Sequence, residues 1–464
     1  MFQSTALCLA AARKRPVLYT RILAALTLGG AMLPGCMTEL SGRYHSLHRE
    51  LERHPFEEVA AEETQRLFAP DSALGRSSLL RAVLERNPSV RSAQQGWRAA
   101  LARYPQVVSL DDPTLGYGVA PWSFGSRSAN NAHKIDLSQT LPFPGKLALR
   151  GQAALAEAEA AQHDFEAVRL RLATIASLLY DDYYFLARSI EINAEHIALL
   201  EDFKTIATAR YESGEASQQD PLQAETEHAH LLHNEVVLRT AFRVLGQQLN
   251  ALLHRSSNLP LPAPPKRLPL PSVVTTGDNE LVREALQKRP EVLAAQARVT
   301  SRQASVKHAA REFFPDLTLV GSYNSLWQDD DLQPFVGLSI KVPLGISKRR
   351  AALEEARARL AKAESQRESL EDQVRFSVES SSEHLAEARH VLLLFNERLL
   401  PPAQDRAVAA RTGFETGQNS FLVLIDAERN LRNVQLGLEE ARVSLSRRSS
   451  ELLQATGNLR ALER

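Results

Sequence analysis

The strongest constraint on this chain is that much of it is written twice. "RNPSVRSAQ" at 86–94 pairs with "KRPEVLAAQ" at 288–296, matching Pro88 to Pro290 and Gln94 to Gln296 at an offset of 202. "DPTL" (112–115) pairs with "FPDL" (314–317) at the same offset, and "QTLPFPGKLALR" (139–150) answers "IKVPLGISKRRA" (340–351). Tyr211, Gly214, Ser217 and Ala224 pair with Phe414, Gly417, Ser420 and Ala427 at an offset of 203. A near-constant offset over four landmarks marks two internal structural repeats. They are joined by "NLPLPAPPKRLPLP" (258–271), where six of 14 residues are proline, a segment that cannot continue a helix.

Each repeat follows one plan. A helix, about 76–104 and again 279–312, ends at a proline-containing segment. Two short alternating runs follow, read as strands at about 106–119 and 132–142, then about 315–325 and 334–343. Leu317, Leu319 and Tyr323 alternate with Asp316, Thr318, Ser322 and Asn324, and Val336, Leu338, Ile340 and Val342 alternate with Gly337, Ser339 and Lys341. Leu115, Tyr117 and Val119, then Ile135, Leu137 and Leu141 against Asp136, Ser138 and Thr140, repeat the pattern. Period two with one apolar and one polar face is a β-hairpin signature. A proline–glycine corner then launches a helix at about 146–210, or 348–412. At ~1.5 Å per residue each would be on the order of 100 Å long.

The long helices carry heptads. Leu353, Ala356, Leu360, Ala363, Leu370 and Val374 keep a 3-4 spacing, resumed by Leu385, Ala388, Leu392, Phe395 and Leu399. Leu424, Leu431, Leu438, Leu445 and Leu452 recur every seven residues with Ala427, Val434 and Ala441 between, a coiled-coil seam. It is not a DNA-binding zipper, because "GQNSFLV" before the leucines holds no basic residue to meet phosphate. The overall charge agrees: Lys+Arg and Asp+Glu both total 55, which argues against nucleic acid as a partner.

Both cysteines, Cys8 and Cys36, lie in the first 36 residues, so no disulfide framework or cysteine metal site is expected. Arg13, Lys14, Arg15 and Arg21 precede "ILAALTLGGAML", an apolar run too short to span a bilayer comfortably. Residues 1–35 are therefore read as a signal peptide and 36–75 as an N-terminal extension. The run ends in "LPGC", which resembles the bacterial lipobox and implies lipidation at Cys36, with Pro34 an unusual residue at its position. Met37 rather than Asp follows, which resembles the outer-membrane sorting pattern. No other segment holds 18 consecutive apolar residues, so no helix is expected to span a membrane.

Four strands cannot close a barrel, which takes roughly eight, and hairpins with apolar outer faces are unstable in water. Strands from several chains must combine, and apolar-out, polar-in alternation is what a transmembrane barrel requires. The duplicated helix–hairpin–long-helix plan resembles the TolC-like outer membrane efflux protein family. So do "SQTLPFPGKL" at the corner, "YESGEASQQDPLQAE" (211–225) at a first tip and "FETGQNSFLVLIDAE" (414–428) at a second, over residues of about 75–458. The "LPFPGK" form and the lipobox look most like its lipoprotein, metal-efflux branch.

The resemblance implies a mainly α fold with a β-barrel part. Each chain of a homotrimer would give four strands to a 12-stranded transmembrane barrel, continued by a periplasmic α-helical barrel. It implies a location in the outer membrane of a Gram-negative bacterium, with a periplasmic adaptor (membrane fusion) protein and an inner-membrane RND-type pump as partners. The cargo would be heavy-metal cations or organic compounds. The repeats would cover 76–257 and 279–458, with tips at 211–220 and 413–422, a linker at 258–278 and a tail at 459–464. The competing reading is an elongated periplasmic coiled-coil scaffold without a channel.

No enzyme is expected, since no Ser/His/Asp or paired-acid arrangement stands out. "FPGK" (143–146) lacks the earlier glycine and following Ser/Thr of a phosphate loop. His228, His230 and His233 in "EHAHLLH" include a pair three apart but no fixed acidic or thiol partner, so they are read as surface histidines. No cofactor or metal ligand set is assigned. At the tips, Gly214 and Gly417 are expected to reverse the chain. The resemblance places Asp426 among the aspartates that line a periplasmic constriction, while the second such position holds Val423. A tyrosine and an arginine that lock the family's closed state correspond here to Phe414 and Asn419. Asp220 remains for an intersubunit contact. The plainer reading of Asp426 is an exposed carboxylate in the first turn of a helix, where it suits the dipole.

Overall fold

The computed structural model describes residues 35–53, 73–125, 132–269, 277–327 and 330–462. The signal-peptide reading with Cys8, most of the 36–75 extension beyond residue 53, the end of the proline-rich linker and both hairpin tips lie outside them. Two compact units share the chain, one of 1–54, 99–157 and 300–360, the other of 55–98, 158–299 and 361–464.

The first unit holds a four-stranded antiparallel sheet in the order β1-β2-β3-β4, with β1 Thr114–Val119, β2 His133–Leu141, β3 Asp316–Asn324 and β4 Pro334–Lys341. The registers match face to face. Leu115 opposes Leu137, Tyr117 opposes Ile135, Leu141 opposes Leu317, and Leu319 opposes Leu338. Thr114 opposes Ser138, Thr140 opposes Thr318, and Thr318 opposes Ser339 on the other face. The period-two pattern therefore survives as one apolar and one polar side. The apolar side is bare: Leu115 is 72% exposed, Tyr117 70%, Val336 70% and Leu338 61%. Among the described residues no helix is long and apolar enough to cross a membrane.

A buried lysine secures the corner where β2 turns into α4 (Lys146–Glu212). Gly145 takes φ +88°, a left-handed conformation that glycine tolerates, so that Lys146 can enter the unit. The Lys146 side chain is 2% exposed. Its Nζ donates to Asp316 Oδ1 at 2.9 Å and to the Phe314 carbonyl at 3.1 Å, with Glu312 Oε2 at 3.6 Å. The Phe143 amide donates to the same Asp316 oxygen, and Phe143 stacks on Phe314 at 4.7 Å. "FPGK" thus has a structural use. Helix α1 (Gly35–Glu52) also belongs to this unit: Leu40 lies near Gly151, and Tyr44 stacks on Tyr104 at 5.0 Å.

Several boundaries differ from the sequence reading. The helix expected at 76–104 is two, α2 (Arg76–Arg86) and α3 (Pro88–Val108), and that at 279–312 is likewise α6 (Asp278–Lys288) and α7 (Pro290–Arg311). The cause is the proline. Asn87 and Arg289 take extended backbone at ψ 125° and 122°, as residues before proline do, and Pro88 and Pro290 start fresh helices. The strand expected from about 106 begins only at Thr114, because α3 runs through Pro105 to Val108. Buried Leu101 and Tyr104 hold that last turn in place, and Gln106 and Ser109 side chains bond the Ala102 and Pro105 carbonyls.

The second unit is helical. It contains α2, α6, most of α4, all of α5 (Gln219–Leu252), α9 (Leu400–Glu415) and α10 (Phe421–Ala455), and the later part of α8 (Ile346–Leu394). The expected single helix from 348 to 412 is interrupted by a π turn at Phe395–Leu399. Pro401 and Pro402 explain it: they lack amide hydrogens, and the register break places them in the first turn of α9, where none is needed. The leucine heptad is a packed seam, with Leu424, Leu431, Leu438, Leu445 and Leu452 all buried. Asp181 of α4 is fully buried and paired with Arg76 of α2. The Ser446 hydroxyl of α10 donates to the same Asp181 oxygen at 3.1 Å. Burial pushes this carboxyl up to about 6, against the pull of Arg76 and the Ser446 bond.

Candidate functional site

Both expected tips are turns, and the second unit brings them together. Gly214 and Gly417 take φ +79° and +77°. Around Gly214, the amides of Glu215 and Ala216 donate to the Arg210 carbonyl; around Gly417, those of Gln418 and Asn419 donate to the Gly413 carbonyl. Left-handed glycine followed by back-bonding amides is the usual way a helix satisfies its last carbonyls. Asn419 occupies a place the sequence did not suggest: its side chain lies over Gly413, where a Cβ would displace its Nδ2.

An apolar cluster ties the turns into one body. Phe203 and Ala207 of α4, Ala224 and Leu231 of α5, Phe414 of α9, and Phe421 and Leu424 of α10 are buried together. Phe414 meets Phe421 edge-on at 5.4 Å. Arg210, from the first tip, donates to the Phe414 carbonyl at 2.7 Å and lays its guanidinium 5.2 Å from the Phe414 ring. Phe414, which has no hydroxyl for a polar lock, is instead held by packing and by this arginine.

Asp426 lies in the second turn of α10, not the first, so the helix dipole offers it little. It is 63% exposed and pairs with Arg406 of α9. Asp220 is in the first turn of α5, where a carboxylate does suit the dipole. Among the described residues no hydrogen bond or ion pair joins Asp220 to Asp426.

The buried charges beside them were not anticipated. Glu428, 9% exposed, accepts two bonds from Arg411, Nε to Oε1 at 2.5 Å and Nη2 to Oε2 at 2.9 Å. His196 of α4 places Nδ1 3.8 Å from Glu428 and bonds Gln435 through Nε2 at 2.9 Å. Glu227 of α5, 7% exposed, pairs with Arg429 of α10. Burial raises the Glu227 carboxyl, but the bond and charge of Arg429 outweigh it and hold the group below its ordinary range. The bond to Glu428 likewise holds Arg411 above its own. Of these groups His196, Glu227, Glu428 and Arg429 border a small open cleft that Arg432 and Ile425 also line. The signal in the sequence was weak: Glu428 follows the seam residue Ala427 directly, so heptad spacing puts it on the flank of the leucine seam, where an acid is usually solvated.

The histidine run makes no such cluster. His228 lies 3.4 Å from Glu201, and the described residues hold no group of three or more His, Cys, Asp or Glu arranged to take a metal.

Residues 79–253 and 281–458 match the family described as outer membrane efflux protein. Outer membrane efflux protein BepC of Brucella suis biovar 1 is 24% identical over 300 residues, 61% of this chain and 62% of that protein. Cobalt-zinc-cadmium resistance protein CzcC of Cupriavidus metallidurans is 25% identical over 225 residues, 48% and 53% of the two chains. This chain therefore spans less than two thirds of the length of these curated relatives. Among solved structures, the open state of the Neisseria gonorrhoeae MtrE outer membrane channel shares the fold with a TM-score of 0.69 at 17% identity. That likeness covers 84% of this chain and 94% of the other.

Proposed function

The chain belongs to the outer membrane efflux protein family, and on that premise we propose that it is the outer-membrane duct of a three-part export system. It is a passive channel and not an enzyme. Three copies of a twice-written chain give a 12-stranded barrel continued by an α-helical barrel. A periplasmic adaptor and an inner-membrane RND-type pump supply the cargo and the energy. Heavy-metal cations are the favoured cargo, on the likeness to a cobalt-zinc-cadmium resistance protein.

The observation that carries this reading is the incomplete sheet. Its apolar side is exposed along all four strands, and β1 and β4 end it as open edges. A soluble protein covers such a face or breaks such an edge; a barrel wall in lipid needs both as they are. Lipidation of Cys36 is consistent with the docking of α1. The helix passes Gly151 at Leu40, close to the Lys146 corner, before Tyr44 reaches Tyr104. An acyl chain on Cys36, the second residue of α1, would anchor this unit to the bilayer. In fractionated cells the chain should appear as heat-resistant trimers in the outer membrane. Recovery as a soluble periplasmic monomer would overturn the duct in favour of a scaffold.

The paired turns form the constriction, with Asp426 lining it and Asp220 free to meet a neighbouring copy. A ring of carboxylates sets cation preference, and Arg406 tempers it by neutralising each one. Asp426→Asn is expected to reduce cation selectivity in single-channel recordings, and Arg406→Gln to increase it. Identical reversal potentials in both variants would remove the ring.

A further inference from the structure

The sheet edges carry more information than their being open. β1 rises from residues 111–113, where Asp111 and Asp112 are both exposed, and β4 descends to Lys341, also exposed. Alternate strands run in opposite senses, so closing the ring pairs β4 antiparallel with β1 of the next copy. The foot of one edge, which is acidic, then meets the foot of the other, which is basic.

The register of that seam follows from three conditions. Apolar must meet apolar: β1 carries Leu115, Tyr117 and Val119 on the apolar side, and β4 carries Val336, Leu338 and Ile340. A one-residue slip inverts this, so only alternate registers survive. Next comes tilt. Within one chain Thr114 pairs Ser138, Ser138 pairs Val320, and Val320 pairs Gly337. If Gly337 then meets Gly118 of the next copy, the ladder climbs four residues, ~14 Å, across four strand spacings of ~4.8 Å, a tilt of ~35°. A climb of two residues gives only ~20°, against the ~35–45° of membrane barrels. A climb of six gives ~47° and leaves two of the six β1 residues unpaired. Offsets of the opposite sense set β4 against residues leading out of α3, which are not strand.

We propose that copies of this chain join with Thr114 opposite Lys341 of the partner subunit, and that Asp112 and that lysine form an acid–base clasp at the foot of the seam. The proposal rests on the duct reading above. Leu115 then opposes Ile340, Tyr117 opposes Leu338 and Val119 opposes Val336, so the apolar wall continues across the join. Asp112 lies two residues before Thr114, at the foot of the strand and exposed, which brings its carboxylate within reach of the long lysine side chain opposite Thr114. Inside its own chain Lys341 faces Asp316, but Lys146 and the Phe143 amide already bond that carboxylate.

Cysteine pairs test the register, with little background because the native cysteines are confined to residues 8 and 36. Under mild oxidation of outer membranes, Gly116→Cys with Ser339→Cys or Tyr117→Cys with Leu338→Cys should give covalent dimers and trimers. Tyr117→Cys with Val336→Cys should not. Linkage through the slipped pair alone, or through none of the pairs while the chain still runs as a trimer, overturns the register.

A charge exchange tests the clasp. Asp112→Lys should lower the heat-resistant trimer on the order of tenfold, ~1.4 kcal/mol shared over three seams. Adding Lys341→Asp should restore it, which also shows that the variant chain folds. A loss that the exchange does not repair, or that follows the content of anionic phospholipid instead, overturns the clasp. If the unaltered chain never forms trimers, the duct reading fails and takes this proposal with it.

Discussion

Replacing Lys146 by methionine is expected to destabilise the first unit by about 2–3 kcal/mol, read as a lower urea midpoint of the solubilised chain. The volume is kept, so no cavity forms; what is lost is the ammonium that bonds Asp316 at 2.9 Å and lies 3.6 Å from Glu312. Removing one partner of a fully buried ion pair costs ~3–5 kcal/mol. Here the carboxylates are 27% and 36% exposed, so water recovers part of their solvation and the smaller figure applies. The Phe314 carbonyl also loses its donor. Adding Asp316→Asn to Lys146→Met should recover part of the loss, because the uncompensated charge goes with it. An unchanged midpoint in the single variant would show that the corner is held by the Phe143–Phe314 stack alone.

The second large effect is with pH. Asp181 has a carboxyl raised from an ordinary 3.8 to about 6, chiefly by burial. The folded protein therefore holds this proton more tightly than the unfolded chain does. The sign follows: the stabilisation is fully present below about pH 4 and is lost as pH rises through about 6. A rise of that size corresponds to about 3 kcal/mol. Other carboxylates have slopes of their own, so the informative quantity is a difference between two proteins. Asp181→Asn keeps an acceptor for Arg76 and Ser446 but does not titrate. Subtracting its unfolding free energy from that of the unaltered chain should leave a curve that falls between pH 4 and pH 6.5 and is flat on either side. A flat difference throughout would mean that Arg76 and Arg447 fully offset the burial of Asp181.

Much of the architecture was legible because its signals are local. Alternation at 315–325 and 334–343 reports a sheet face whatever surrounds it, and the observed strands agree within two residues at each end. Gly214 and Gly417 could be assigned to turns because only glycine enters the left-handed region cheaply. The misreadings came from opposing influences on proline. At Pro88 and Pro290 the restriction on the preceding residue ended a helix, whereas at Pro105 the packing of Leu101 and Tyr104 carried the helix through. At Pro401 the backbone made room by a π turn. Composition does not distinguish these outcomes, because each depends on what the neighbouring turn buries.

The candidate site divides in the same way. Asp426 was singled out by the family resemblance, aligned on the turn glycine and the Asp-Ala pair, yet its partner Arg406 lies 20 residues upstream on another helix. Glu227 and Arg429 are 202 residues apart, Asp181 and Ser446 are 265, and Lys146 and Asp316 are 170. An isolated charge in a heptad looks like a solvated flank until the helix opposite is known. By itself, then, the sequence determined most of the elements, the turns and the faces of the strands, all of which depend on period and on the stereochemistry of single residues. Only the tertiary structure decided which charges are buried, which are paired, and that the sheet ends in two unlike edges, because burial and pairing belong to surfaces that meet after the chain has folded.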